Sequence, residues 1–253
     1  MIPVSCMAKS RIQTVYYNEW SDDYRIEFKF NDTYMFYLDH ICNLSPNIIT
    51  DAIAESGDLI GYTRPNLGAF DIGVVNYDAH NQFITPGRYH DFYLYCADPY
   101  IYFTDSIRQI LEMKNRRVGE PKGGKIDFDT DGTLAGNWFL EGTPITWEAS
   151  SYLYGIEQLA FVYDMYNAST ILISCGGTLE GAPFACHVID NTPDPILVTT
   201  SSGPVKYALT AYTYDCTLLV EMQEIRRIRA EVFLNQKPED VEEFTSNATI
   251  YIR

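Results

Sequence analysis

The chain has 253 residues, a formal net charge of −16 and a pI near 4.5. A surface this acidic repels a phosphate backbone, which argues against nucleic acid as a partner. No stretch reaches the roughly 18 consecutive apolar residues of a spanning helix, so no helical membrane span is expected.

The length suits one large or two modest domains, either able to bury a sizeable core. The 20 tyrosines and short β-branched runs favour strands over helices. The opening Met1-Ile2-Pro3-Val4 has no basic stretch followed by a long apolar one, so it does not read as a signal peptide. Cysteines stand at 6, 42, 96, 175, 186 and 216 with no C-x-x-C pair, which favours buried free thiols over disulfides or a zinc ribbon.

In chain order, residues 11–17 alternate in part and predict a strand. Tyr24, Ile26, Phe28 and Phe30 fall on one face of the next. Asn31-Asp32 is a turn, and Tyr34–Leu38 returns to complete a hairpin. Ser45-Pro46 predicts a short helix to about Ala54, since proline is tolerated in a first turn. Ser56–Tyr62 is a tight turn into a strand, and Ala69–Val75 is another strand. Residues 99–117 predict a helix with the apolar stripe Ile101, Phe103, Ile107, Ile110 and Leu111 and a basic end that complements the helix dipole. Residues 119–124 hold glycine and proline without an apolar side chain and predict a linker. The domains are therefore drawn at 1–118 and 125–253. Strands are expected at 134–139, 159–163, 170–174, 196–199, 206–213, 217–223, 227–233 and 248–252, which predicts an antiparallel barrel or sandwich.

The first half carries three motifs in order. Tyr37-Leu38-Asp39-His40-Ile41 ends a strand, Gly57-Asp58-Leu59-Ile60-Gly61 makes a turn, and Asp71-Ile72-Gly73-Val74-Val75 is a strand. Over about residues 2–100 this resembles the lysostaphin-type M23 metallopeptidase domain. That family has a tyrosine-containing strand ending in His-Leu, a G-x-x-I-G turn and a His-x-His strand. The resemblance implies a mainly β chain whose first domain is an antiparallel structure of the barrel-sandwich-hybrid type. It does not imply peptidase activity. Asp71 and Gly73 stand where the family has histidines, and no histidine precedes His40 to supply the upstream ligands. Residues 124–143 are similar to a C-terminal domain of uncharacterised M23-like microbial proteins, with no chemistry attached.

The binding candidates are Tyr37, Asp39, His40 and Asp71 around the groove that the resemblance implies, and Trp138 beside Asn137 and Glu141 as a sugar-stacking ring. A zinc site from His40, His80 or His90 with Asp71 or Asp91 matches no metal spacing, so no metal or other cofactor is assigned. Asp127, Asp129 and Asp131 before Gly132 open like a calcium loop, but the acidic residue that closes such a loop is replaced by Trp138. Glu141, Glu148 and Asp164 offer carboxylate pairs of the kind any acidic chain contains. The residues thus point to a non-catalytic binding or structural module. The resemblance adds an envelope or extracellular setting and a cell-wall glycan, a peptide or another protein as partner. The alternatives are a zinc-dependent hydrolase with a rearranged ligand set and a structural subunit of a larger assembly.

Overall fold

The computed structural model describes residues 1–66, 68–153, 155–189, 192–210 and 215–253. It is mainly β, in two compact units: residues 1–81 with 91–112, and residues 82–90 with 113–253. All the strand pairings within the two sheets are antiparallel.

The first unit is one sheet of β1 (Pro3–Ser5), β2 (Ser10–Asn18), β3 (Asp23–Lys29), β4 (Tyr34–Cys42), β5 (Ile53–Ala54), β6 (Leu59–Thr63), β7 (Asp71–Asn76) and β8 (Cys96–Ala97). The order is β1-β6-β4-β3-β2-β5, with β7 on β4 and β8 on β7. Its core is built on Ile12, Ile26, Phe28, Leu38, Ile41 and Ile60, all inaccessible to solvent. The alternation read in β3 holds at Ile26 and Phe28, and Tyr24 packs against the same core. Phe30 lies beyond the strand and is exposed. The Asn31 side chain shapes the β3–β4 turn by accepting from Thr33 N and Tyr34 N.

One strand does not run straight. Along β4, residues 34–39 pair with β7, whereas Ile41 and Cys42 pair with β6. On its other edge, Tyr24 faces Ile41 but Ile26 faces Leu38, so Asp39 and His40 together oppose the single residue Arg25. This is a β-bulge, and His40 takes a left-handed φ of 63° within it. A non-glycine residue held there marks a constrained position.

The second unit is a closed eight-stranded barrel. Its strands are β9 (Gly136–Leu140), β10 (Gln158–Tyr163), β11 (Ile171–Cys175), β12 (Phe184–Ile189), β13 (Val205–Thr210), β14 (Asp215–Glu224), β15 (Arg227–Leu234) and β16 (Thr249–Ile252), and β16 closes on β9. Side chains fill a barrel of this strand number. Trp138, Phe161, Ile173, Tyr207, Leu218, Ile228 and Tyr251 do so here, each with no exposure. Closure also leaves no open sheet edge.

Several sequence expectations need correction. The helix expected from Ser45 does not form. The segment is turns leading to β5, in which Asp51 N donates to Ile12 O of β2 and Ile12 N donates back to Ala52 O in place of helical bonds. The helix expected over 99–117 is instead a 3-10 turn at Pro99–Tyr102, capped by Asp98, followed by α2 (Asp105–Lys114); α1 is the short Asp91–Leu94. No residue of α2 is buried, so its stripe is not core: Ile107 and Ile110 are 46% and 50% exposed. The 196–199 strand is a 3-10 turn at Pro195–Leu197, because Pro195 supplies no donor and Asp194 caps the turn. Strand β12 was not anticipated. The end of the 206–213 expectation lies outside the described residues beyond Thr210. The 119–124 segment is not a free linker. Arg117, 6% exposed, donates to the carbonyls of Pro121, Asp164 and Met165, and Val118 pairs with the 166–168 turn. Residues 113–124 group with the barrel unit, as do residues 82–90.

Arg253 binds the segment that leads into β9. Its guanidinium donates to the carbonyls of Thr130, Thr133, Leu134, Ala135 and Asn137 and lies 3.9 Å from the centre of the Trp138 ring. Burial pulls its pKa down to about 10, still charged at neutral pH. Replacing Arg253 with Ala orphans these carbonyls, and we expect a loss of about 3 kcal/mol. Urea unfolding of the two proteins checks this, with the midpoint falling and the slope unchanged.

Candidate functional site

The β4 bulge decides where the polar groups of the first unit meet. By doubling residues opposite Arg25, it turns His40 out of the strand alternation and onto Asp23, the first residue of β3. His40 Nδ1 lies 2.8 Å from Asp23 Oδ2, and its Nε2 lies 3.8 Å from Asp71 Oδ2. Asp23 has no solvent exposure. Its other oxygen accepts from Ser21 Oγ at 2.6 Å, and Arg64 Nε, just past β6, sits 3.7 Å from Oδ2. A fully buried carboxylate is thus met by a hydroxyl, an imidazole and a guanidinium, as its desolvation demands.

Asp39 and Asp71 are direct cross-strand partners on β4 and β7. Asp39 does not face its partner unopposed: its Oδ1 accepts the His40 backbone N–H at 2.9 Å and its Oδ2 lies 3.4 Å from Arg25. Arg25 also reaches Glu27 at 3.4 Å and covers the Tyr37 ring at 3.8 Å from its centre. The hydrogen bond to Asp23 is the chief reason that the His40 pKa is raised, and burial opposes it.

Gly73 has a structural explanation that its place in the sequence did not reveal. A Cβ built on it would overlap the Tyr37 ring at the Cε1, Cζ and hydroxyl atoms. Tyr37 and Gly73 are cross-strand partners, so the ring lies across the bare glycine. Tyr37 is therefore packed between neighbours and offers little of its ring to a ligand.

Of the sequence candidates, the fold brings together Tyr37, Asp39, His40 and Asp71. It does not bring Trp138 to them. Trp138 is fully buried in the barrel, donates from Nε1 to Leu134 O at 2.8 Å and carries Arg253 over its ring. It cannot serve as an open sugar platform, because a β9 residue facing a narrow barrel becomes core. The remaining histidines sit elsewhere: His80 against Tyr95, His90 against Trp147 and His187 on Asp164. The calcium-like carboxylates diverge. Asp127 accepts from Gln82 N, Asp129 from Ile84 N and Asn137 N, and Asp131 lies 3.3 Å from Arg226. Glu141 pairs with Arg227. No disulfide joins the cysteines among the described residues.

Sequence reasoning missed the cleft beside this network. About 540 Å³ in volume, it is bordered by Tyr17, Tyr24, Asp22, Asn43, Cys42 and Arg64. Tyr17 and Tyr24 are cross-strand partners with ring centres 5.1 Å apart, and the Tyr17 hydroxyl donates to Asp22 Oδ1 at 2.6 Å. Trp20 stands fully exposed at the tip of the same hairpin. The available signal was four aromatics within residues 16–24 around an Asn-Glu-Trp-Ser-Asp turn.

Two outcomes are expected of this network. First, a raised folded pKa means that the His40–Asp23 pair contributes its full stabilisation below the ordinary imidazole value of 6.5 and loses it as pH rises through the folded value. NMR titration of His40 should give a midpoint above 6.5, falling in Asp23→Asn; an unchanged midpoint in that variant contradicts the assignment. Second, Gly73→Ala should cost about 2 kcal/mol by displacing Tyr37, and much less in a Tyr37→Ala background. A double-mutant cycle of denaturation midpoints measures that coupling.

No family model matches the chain, and no curated protein matches it. Among solved structures, the NMR solution structure of lysostaphin aligns over 99% of this chain and 75% of its own, at 8% identity and a TM-score of 0.27. At that score the alignment carries no argument about activity, and the reading of the site rests on its own geometry.

Proposed function

We propose that the protein is a non-catalytic binding module whose first unit takes a glycan or peptide fragment in the cleft between Tyr17, Tyr24 and Arg64. The observation that carries this reading is the cleft itself: two tyrosine rings for stacking beside an amide, a carboxylate and a guanidinium for hydrogen bonds. Such a mixture suits a ligand with both apolar faces and polar rims. Asp23 supports the cleft from behind by holding Arg64 and His40 in place. Tyrosine loses little rotamer freedom on binding, which suits it to anchor a ligand. The envelope or extracellular setting in this reading comes from the sequence resemblance alone.

One observation favours the hydrolase alternative. Asp23, Asp39 and His40 offer ligand atoms within 4.8 Å of one another, the one such group among the described residues. The fit is poor. Both Asp39 oxygens and both Asp23 oxygens already meet donors, and Arg25 and Arg64 supply the positive charge that an ion would bring. A zinc ion would have to displace these partners to reach ligand distances of roughly 2.0–2.2 Å. Protein purified without chelator should contain well under one zinc per chain by elemental analysis; a stoichiometric content lost in His40→Ala would favour the hydrolase.

The binding reading is tested by titrating the ¹⁵N-labelled chain with N-acetylglucosamine oligomers and with short peptides. Amide shifts should cluster at Tyr17, Tyr24, Asn43 and Arg64, and Tyr17→Ala should weaken binding by about tenfold. If neither ligand class moves these signals at saturation, the role as a subunit of a larger assembly takes precedence.

A further inference from the structure

A second cavity lies in the same unit, and none of its lining residues is shared with the polar cleft. It measures about 330 Å³, within the range of small-molecule sites. Five aromatic rings (Phe30, Tyr34, Phe36, Tyr102 and Phe103) and two thioethers (Met7 and Met35) line it, and none of its lining residues is charged.

The walls are held from behind. Phe36 stacks on the buried Phe28 with ring centres 4.6 Å apart, and it pairs across the sheet with Val74, also in the wall. The Pro99–Tyr102 turn forms the other side. Asp98 caps that turn by accepting Tyr100 N at 2.8 Å, and Asn76 at the end of β7 donates to the Tyr102 hydroxyl at 2.9 Å. Tyr102 in turn meets Tyr34 edge-on at 5.7 Å. Sheet and turn are thus tied across the cavity, which opposes its collapse. The small side chain of Ala8 leaves the space that a larger residue would fill. At the mouth, Phe30 and Tyr102 are 54% and 40% exposed, so the cavity opens to solvent.

We infer that this cavity binds an uncharged ligand through an aromatic ring. Aromatic walls favour an entering ring, which packs edge-to-face or offset against them. Thioether sulfurs add favourable contacts to a ring and adapt to its outline. A charged ligand finds no partner in the lining and would lose hydration on entry. The net charge of −16 further disfavours anions such as fatty acids. The hydroxyls of Tyr34 and Tyr102 can satisfy one or two polar substituents. The ring can belong to a free small molecule or to the side chain of a peptide; the recognition chemistry is shared.

The test titrates the full chain with two uncharged probes. N-phenylnaphthylamine, which brightens in apolar surroundings, stands for a free ligand. N-acetyltryptophanamide, followed by NMR, stands for a side chain. Ala8→Trp fills the cavity, and Tyr102→Ala removes a partly exposed wall with less risk to folding. Met165→Ala, an exposed change in the barrel unit, is the control. The expected result is saturable binding of at least one probe, weakened about tenfold in both cavity variants and unchanged in the control. Binding of N-phenylnaphthylamine alone assigns the ring to a free ligand, and binding of N-acetyltryptophanamide alone assigns it to a peptide; either supports the inference. No saturable binding of either probe, or binding that ignores both cavity variants, overturns it. Neither result depends on the polar cleft.

Discussion

A carboxylate without solvent must be met by donors, and Asp23 imposes that condition on the whole first unit. Its partners come from three places in the chain: Ser21 in the β2–β3 turn, His40 in the β4 bulge and Arg64 beyond β6. Removing a donor would leave part of the carboxylate unsatisfied at an inaccessible site, which costs more than the hydrogen bond itself contributes. The condition also explains local geometry. His40 reaches Asp23 because the bulge re-aims it, and the left-handed backbone at His40 is held by the strands on either side.

That network shapes what the unit can do. Arg25 and Arg64 neutralise the carboxylates that sequence inspection would offer to a metal. Tyr37, a groove residue by sequence, is spent on packing over Gly73 and under Arg25. The surface left for recognition lies to one side, where Tyr17 and Tyr24 border a cleft that Arg64 closes. A carboxylate that looks chemical thus serves as the support for a neighbouring binding surface. The barrel answers a comparable constraint with Arg253, one half-buried cation shared among several carbonyls.

Much of the fold was legible because strand signals are local. The β3–β4 hairpin and most barrel strands follow from alternation and turn residues, and the mainly β class with a closed antiparallel barrel agrees with the spacing of the second half. Errors arose where tertiary context outweighs local pattern. Residues 45–54 have a helix-like start but form local turns, and their last residues, from Asp51 on, pair with β2. The stripe of α2 has helical period yet no burial, which periodicity alone cannot foresee. Asp39 and His40 were found as candidates, but Asp23, Ser21 and Arg64 were not. Their convergence depends on a bulge and on register, and neither leaves a fixed spacing in the chain. Trp138 was misread because its polar neighbours alternate to the other face of β9 while the ring points inward.

The central claim is that protein donors, and not a metal, satisfy Asp23. Long-range ¹H–¹⁵N spectra of the His40 ring report this directly, since Nδ1 and Nε2 shifts differ for protonated, free and metal-bound nitrogen. The account predicts a hydrogen-bonded, protonated Nδ1 whose shift is the same before and after dialysis against a chelator. A metal-type shift at either ring nitrogen that the chelator abolishes would contradict it.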